Sequence, residues 1–260
     1  EFKTENIDNL LLNAGVYVNY NSDYGWQVFP GIDLGYQLST HWKLVAHTGM
    51  GQRIPSFTDL YLDQRPGNIG NPLLLAEHSW HAEGGIKYLD DRLAAHAAYF
   101  YRNLNDFIDW VRHSTDDPWQ PHNFQRNRTR GLSFTGNYRL SGEESRMAWI
   151  AGLSYTWLSP RFEDSNNAGF LSKYVVESLR HQVTANLHLK AGKFAATAAA
   201  RFNERISYRS YFVGDARFAY RFRPMEVYLD VQNIFDVTYI EAAAIPMPGR
   251  WFSLGLKYGI

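Results

Sequence analysis

The side chains here that could do chemistry are nine histidines, an acidic cluster and a set of loop aromatics. His78 and His81 stand three apart in a stretch that reads as a strand. They therefore project to opposite faces and cannot close on one zinc ion. His96, His181 and His188 fall inside strands, where an imidazole serves as wall polarity. Ser178 and His181 are again three apart, which separates a hydroxyl from its prospective base. With no nucleophile elbow elsewhere, the residues give no enzyme. Asp106, Asp109, Asp116 and Asp117 offer the hard oxygen ligands that calcium takes, but a solvated loop is the plainer reading. The chain has no cysteine, hence no thiolate site, thiol nucleophile or disulfide. No metal and no cofactor is expected. The stronger signal is aromatic. Tyr61, Trp119, Tyr174 and Tyr239 lie in or beside long loops, where rings can stack on a bulky small molecule and partly desolvate it. Packing within the loops is the competing use of the same rings.

The elements that must position these residues read as strands throughout, with no convincing helix. In the segment from Leu179 to Lys190, Leu179, Val183, Ala185, Leu187 and Leu189 alternate with Arg180, Gln182, Thr184, Asn186, His188 and Lys190. Period-two alternation puts the apolar groups on one face of a strand and the polar ones on the other. The same pattern recurs near 10–20, 26–38, 42–53, 77–89, 93–112, 129–140, 147–157, 194–206 and 212–222. A closing pair follows, in which Val227, Leu229 and Val231 are answered by Phe252, Leu254, Leu256, Tyr258 and Ile260. The links alternate in length. Short turns fall near residues 40, 91, 143, 192 and 224, whereas 54–76, 113–128 and 159–177 are long loops.

Composition narrows the class. Formal net charge is zero and no basic patch is evident, so nucleic acid is not an expected partner. No run approaches the ~18 apolar residues of a spanning helix. Aromatic residues make up 16% of the chain, enough to furnish the two girdles of an outer-membrane barrel; Trp149 with Trp157 and Phe212 with Phe222 are spaced for them. The expected fold is all-β, an antiparallel transmembrane β-barrel wall of about 12 strands in one domain over residues 1–260. Its apolar face meets lipid, and Arg139, Arg180, Lys190, Arg201 and Arg217 line the interior. A complete 12-stranded channel or outer-membrane enzyme is the competing architecture, and a soluble sugar-binding β protein the third.

Several segments resemble the C-terminal part of TonB-dependent outer-membrane receptors. Arg53-Ile-Pro-Ser-Phe-Thr-Asp-Leu-Tyr61, with Gly70-Asn-Pro-Leu-Leu74 and Glu77-His-Ser-Trp80, is similar to that family's most recognisable internal motif. Tyr99-Phe-Tyr-Arg102 with Asp106-Phe-Ile-Asp-Trp-Val111 is a second match, and Gln232-Asn-Ile-Phe-Asp236 with Tyr239 and Pro248-Gly-Arg250 resembles the family's ending. Ile260 departs from it, standing where the family usually ends in an aromatic. The resemblance implies the C-terminal half of a barrel of about 22 strands, without the plug that fills it. It also implies a receptor of a Gram-negative outer membrane that imports a scarce, bulky ligand with energy relayed by TonB through the plug. Ser56–Tyr61, Asn68–Pro72, Ile108-Asp-Trp110 and Ile245–Trp251 look most like the cobalamin receptors of Bacteroides-like bacteria, which implies a corrinoid ligand and a surface lipoprotein lid. A siderophore or haem receptor of the same family is the alternative. Haem receptors usually carry a histidine within the first motif, and this sequence has none between Gly49 and Glu77.

Overall fold

Side chains at the reversals decide where strands begin. Asn21 folds the chain onto its own Oδ1, which accepts the Asp23 and Tyr24 amides at 2.9 and 3.2 Å; Gly25 then takes φ +69°, a conformation that a Cβ would strain. Asp90 turns the chain the same way, accepting the Arg92 and Leu93 amides at 2.7 and 2.6 Å. At Gly192, φ +60° lets Ala191 pair directly with Phe194 across a two-residue hairpin.

The computed structural model describes residues 2–7, 9–141, 146–163, 171–172, 179–206, 209–241 and 245–259. In chain order its elements are β1 (Phe2–Ile7), β2 (Leu10–Asn21), β3 (Gly25–Gln37), β4 (Trp42–Arg53), α1 (Phe57–Tyr61), β5 (Asp63–Gln64), β6 (Asn68–Ile69), β7 (Glu77–Leu89) and β8 (Leu93–Arg112). Then come β9 (Gln120–Arg139), β10 (Met147–Glu163), β11 (Leu171–Ser172), β12 (Leu179–Ala191), β13 (Phe194–Arg205), β14 (Tyr211–Phe222), β15 (Met225–Gln232) and β16 (Trp251–Tyr258). Each long strand pairs with its sequence neighbour in one sheet, while β11 adds to β8, and β5 and β6 make a ribbon of their own. The chain packs as two compact units. One holds residues 1–86, 98–132 and 158–178; the other holds 87–97, 133–157 and 179–260.

Register carries the two-faced pattern from strand to strand. Trp149, Ala151, Leu153 and Tyr155 stand opposite Leu189, Leu187, Ala185 and Val183. Leu187 meets Ala198, Ala198 meets Ala216, Ala216 meets Val231, and Val231 meets Phe252. The other face pairs Arg217 with Asp230 and Glu226 with Lys257. A one-residue slip would mix the two sets, so the alternation itself fixes the register. The apolar face is the bare one: Leu254 is 79% exposed and Leu256 63%. The fully buried groups sit instead where loops fold onto strand ends, at Leu74, Ile108, Trp110 and Val111 in the first unit and Tyr211 and Val213 in the second. A water-soluble sheet would bury the face that this one bares.

Three expectations need correction. The absence of helix does not hold, because Ser56 and Asp59 form a reciprocal capping box that starts α1; five residues are too few to show a helical period. The loop 113–128 is shorter than expected, since β9 already runs from Gln120. At about 3.3 Å per residue, the 20-residue strands β8 and β9 span roughly 65 Å. That exceeds the height of a bilayer, and beyond it no face has to be apolar for lipid, so His122, Arg126 and Arg128 give no apolar alternation. Finally, β1 adds a strand to the expected dozen by pairing with β2; its six residues show no alternation of large apolar groups. Among the described residues no helix is long and apolar enough to cross a membrane.

Leu187 lies mid-strand on the bare face. We expect Leu187→Arg to cost about 2–4 kcal/mol in a bilayer, measured by reversible unfolding in lipid vesicles, with Asn186→Arg on the opposite face close to neutral.

Candidate functional site

Two constructions at the loop-bearing ends of the strands could receive a ligand, one in each unit. The first is the segment 54–76, pinned by buried charge. Arg53, at the end of β4, grips Glu77 with both arms of its guanidinium, Nε to Oε2 and Nη2 to Oε1 at 2.9 Å each. Its third nitrogen, Nη1, reaches Asp59 Oδ2 at 3.2 Å. Asp59 and Glu77 are both buried, and a buried carboxylate must spend its remaining lone pairs on donors. Asp59 accepts Trp110 Nε1–H at 3.0 Å and the Ser56 amide at 3.0 Å, while Glu77 Oε1 accepts the Ile108 amide at 2.7 Å. The first motif and the Asp106–Val111 segment, far apart in sequence, are thus two halves of one ion cluster.

The rest of the loop is stapled by amides. The Asn71 amide donates to the Asp59 carbonyl at 2.8 Å and its side chain to the Pro121 carbonyl at 3.1 Å. Asn123 both accepts the Leu75 amide and donates to its carbonyl, at 2.8 and 3.0 Å. Gly70 has no room for a Cβ, which would stand 2.7 Å from the Leu60 carbonyl carbon. On this base α1 displays Tyr61 and Phe57, one turn apart, exposed and in ring contact at 4.8 Å. Trp119 is placed differently. Its backbone bonds Gly67 and Ile69, at 2.9 Å each, and its ring lies under the Arg112 guanidinium at 4.5 Å.

The second construction is a cavity of about 500 Å³ in the other unit, lined by Arg201, Asp215, Arg217, Asp230, Tyr239 and Trp251 among others. Tyr239 meets buried Tyr211 ring to ring, tilted, at 4.6 Å between centroids. Tyr211 accepts from Asn203 Nδ2 at 2.6 Å and donates to Glu241 at 3.2 Å, and Glu241 pairs with Arg201. Burial raises the Tyr239 phenol above its usual range, and the Glu241 charge adds to the effect; it is a neutral donor at any physiological pH. Two left-handed residues shape the loop above, Asn233 at φ 48° and Asp236 at φ 55°. Asn233 Oδ1 accepts the Val237 amide at 2.9 Å, and Asp236 Oδ1 accepts the Arg250 amide at 2.7 Å. The Gln232–Asp236 motif is a pair of side-chain-locked turns.

Tyr174 and Ser178 lie outside the described residues. Of the acidic residues weighed for calcium, Asp109 is fully buried and accepts from Ser172 Oγ, while Asp116 and Asp117 sit in an exposed turn. Among the described residues no group of three or more His, Asp or Glu side chains is arranged to hold one metal ion between them. Sequence reasoning missed the Arg53–Asp59–Glu77–Trp110 cluster as a unit, although the unusual sight of Asp and Glu flanking short apolar loop segments was its signal.

A two-faced antiparallel meander with a bare apolar face defines a membrane-spanning β-wall. Residues 4–234 match the TonB dependent receptor-like β-barrel, and the chain belongs to that family. It is 25% identical over 189 residues to the vitamin B12 transporter BtuB of Vibrio vulnificus, covering 73% of this chain and 28% of that protein. The BtuB of Photobacterium profundum is 21% identical over 197 residues, covering 75% and 30%. The chain therefore spans less than a third of these curated relatives. Among solved structures, the copper transporter OprC superposes with a TM-score of 0.76 at 17% identity, over 98% of this chain and 46% of that one. The FrpB iron transporter of Neisseria meningitidis gives 0.73 at 18%, over 97% and 43%. These likenesses are of fold.

The ion cluster makes the loop acid-sensitive. Burial pushes the Asp59 carboxyl up, but the hydrogen bonds from Ser56 and Trp110 and the Arg53 charge outweigh it and hold it below the ordinary carboxylate range. Its contribution is therefore complete above an ordinary pKa of about 4 and is lost as pH falls through the lower, folded value. Protection of the Ile108 amide and the Trp110 indole against exchange, relative to the unstructured chain at the same pH, should fall below that range. At neutral pH, Glu77→Gln should loosen the same two sites by about 1–3 kcal/mol.

Proposed function

We propose that this chain is the ligand-binding and pore-lining wall of an outer-membrane receptor that imports cobalamin. The observation that carries the ligand is the sequence relationship to vitamin B12 transporters over nearly three quarters of the chain. The geometry fits a large ligand approached by rings: Tyr61 with Phe57 on a stapled loop, and Tyr239 at the mouth of a polar cavity. In this reading Trp119 serves chiefly to hold the 67–69 backbone, and Tyr174 is a further aromatic residue assigned to ligand binding. No covalent chemistry is required; binding by the loops is followed by movement of a plug that TonB drives. In this reading the receptor's plug makes the TonB contact, and a surface lipoprotein closes over the ligand.

The test is equilibrium binding of cobalamin to the full-length protein in detergent, with haem and a ferric siderophore as competitors. Tight cobalamin binding that neither competitor displaces is expected. Tyr61→Ala and Tyr239→Ala should each weaken it about two- to tenfold, the equivalent of roughly 0.5–1.5 kcal/mol per ring contact. Displacement by the siderophore, or no cobalamin binding, would assign the receptor to another ligand.

A further inference from the structure

Sheet pairing brings together two histidines 34 residues apart in sequence. His47 is on β4 and His81 on β7, neighbours in the sheet. Their Nε2 atoms stand 2.6 Å apart, with the rings 4.6 Å between centroids. The other nitrogen of His47, Nδ1, is held by Asp33 Oδ1, its direct partner across the β3–β4 ladder. A carboxylate accepts from Nδ1–H, which fixes His47 in the tautomer whose lone pair is at Nε2. Two imidazole nitrogens that close share either a proton or a cation.

The surroundings hold this geometry and leave it open. Thr48 Oγ1 donates to the His81 carbonyl at 2.9 Å, and Trp80 Nε1 donates to that hydroxyl at 3.1 Å. Gly49 is the floor under His81, where a Cβ would come within 3.2 Å of Cε1. The pair borders a cavity of about 460 Å³ that Asn13, Gly31, Asp33 and Gly49 also line. Glu83 follows two residues after His81 on β7 and shares its face; Arg102 of β8 is a further charged neighbour.

We propose that His47 and His81 bind a late first-row divalent cation through their Nε2 atoms, with Asp33 orienting His47 from behind. A carboxylate on the far nitrogen of a ligating imidazole is the usual support of such a ligand. Imidazole donors suit copper, nickel and zinc, and copper(II) heads that series in affinity. Two protein ligands leave the remaining positions to water, so the site is exchangeable rather than structural. The site does not depend on the identity of the imported ligand. His81 was set aside at the sequence level because His78 points away from it; its partner lies across the sheet.

The experiment titrates copper(II) into the metal-stripped, full-length protein in detergent, read by electron paramagnetic resonance and equilibrium dialysis. One equivalent with superhyperfine splitting from two nitrogens is expected. His47→Ala and His81→Gln should each abolish that two-nitrogen signal, with the β-sheet circular dichroism unchanged. Asp33→Asn should weaken binding about 10–100-fold, and His188→Ala, on β12, should change nothing. Persistence of the two-nitrogen signal in either histidine variant, or equal copper uptake by the wild type and the double variant, would overturn the proposal.

Discussion

A peptide group in hydrocarbon has no water to bond, so a strand there is tolerable only when neighbours satisfy its amides and carbonyls along its whole length. That constraint governs this chain. It makes the turns short at one end, because a hairpin loses least when strands re-enter the ladder at once. It makes the register exact over runs such as Met147–Trp157 against His181–Ala191. It also frees the side chains to face outward in apolar rows, since lipid asks nothing polar of them.

Beyond the bilayer the same strands obey other physics. β8 and β9 continue past the bilayer, and there they support a folded loop that buries Ile108, Trp110 and Val111. What holds that loop is a charge cluster, with Asp59 and Glu77 buried around Arg53 and every remaining oxygen given a donor. Such a cluster gains little net stability over apolar packing. Its value is geometric, because it fixes where α1 and its two rings stand. At the other site, Tyr239 is fixed by its ring contact with Tyr211, which an Asn203–Glu241 network holds in turn.

How much of this the sequence disclosed depends on range. The wall was legible because its code is local: Leu179 to Leu189 states both faces within one strand, and Asn21 and Asp90 mark their turns with their own side chains. The polar part of β9 was not, because outside lipid a strand needs no alternation. α1 was hidden by its length, and β1 by a sequence without large alternating apolar groups. The candidate sites were legible only as residue types. Tyr61 and Tyr239 could be named as exposed rings, but the pairing of Asp59 with Trp110, or of His47 with His81, is set by strand order and register. No local pattern contains them.

The central claim is that one face of this sheet meets lipid and the other does not. The chain has no native cysteine, so single cysteines placed along β12 can carry a spin label without background. In lipid vesicles, labels at Val183, Ala185, Leu187 and Leu189 should collide freely with dissolved oxygen, and labels at Thr184, Asn186, His188 and Lys190 should not. Oxygen accessibility that fails to alternate along β12, or that peaks at the even positions, would contradict the account.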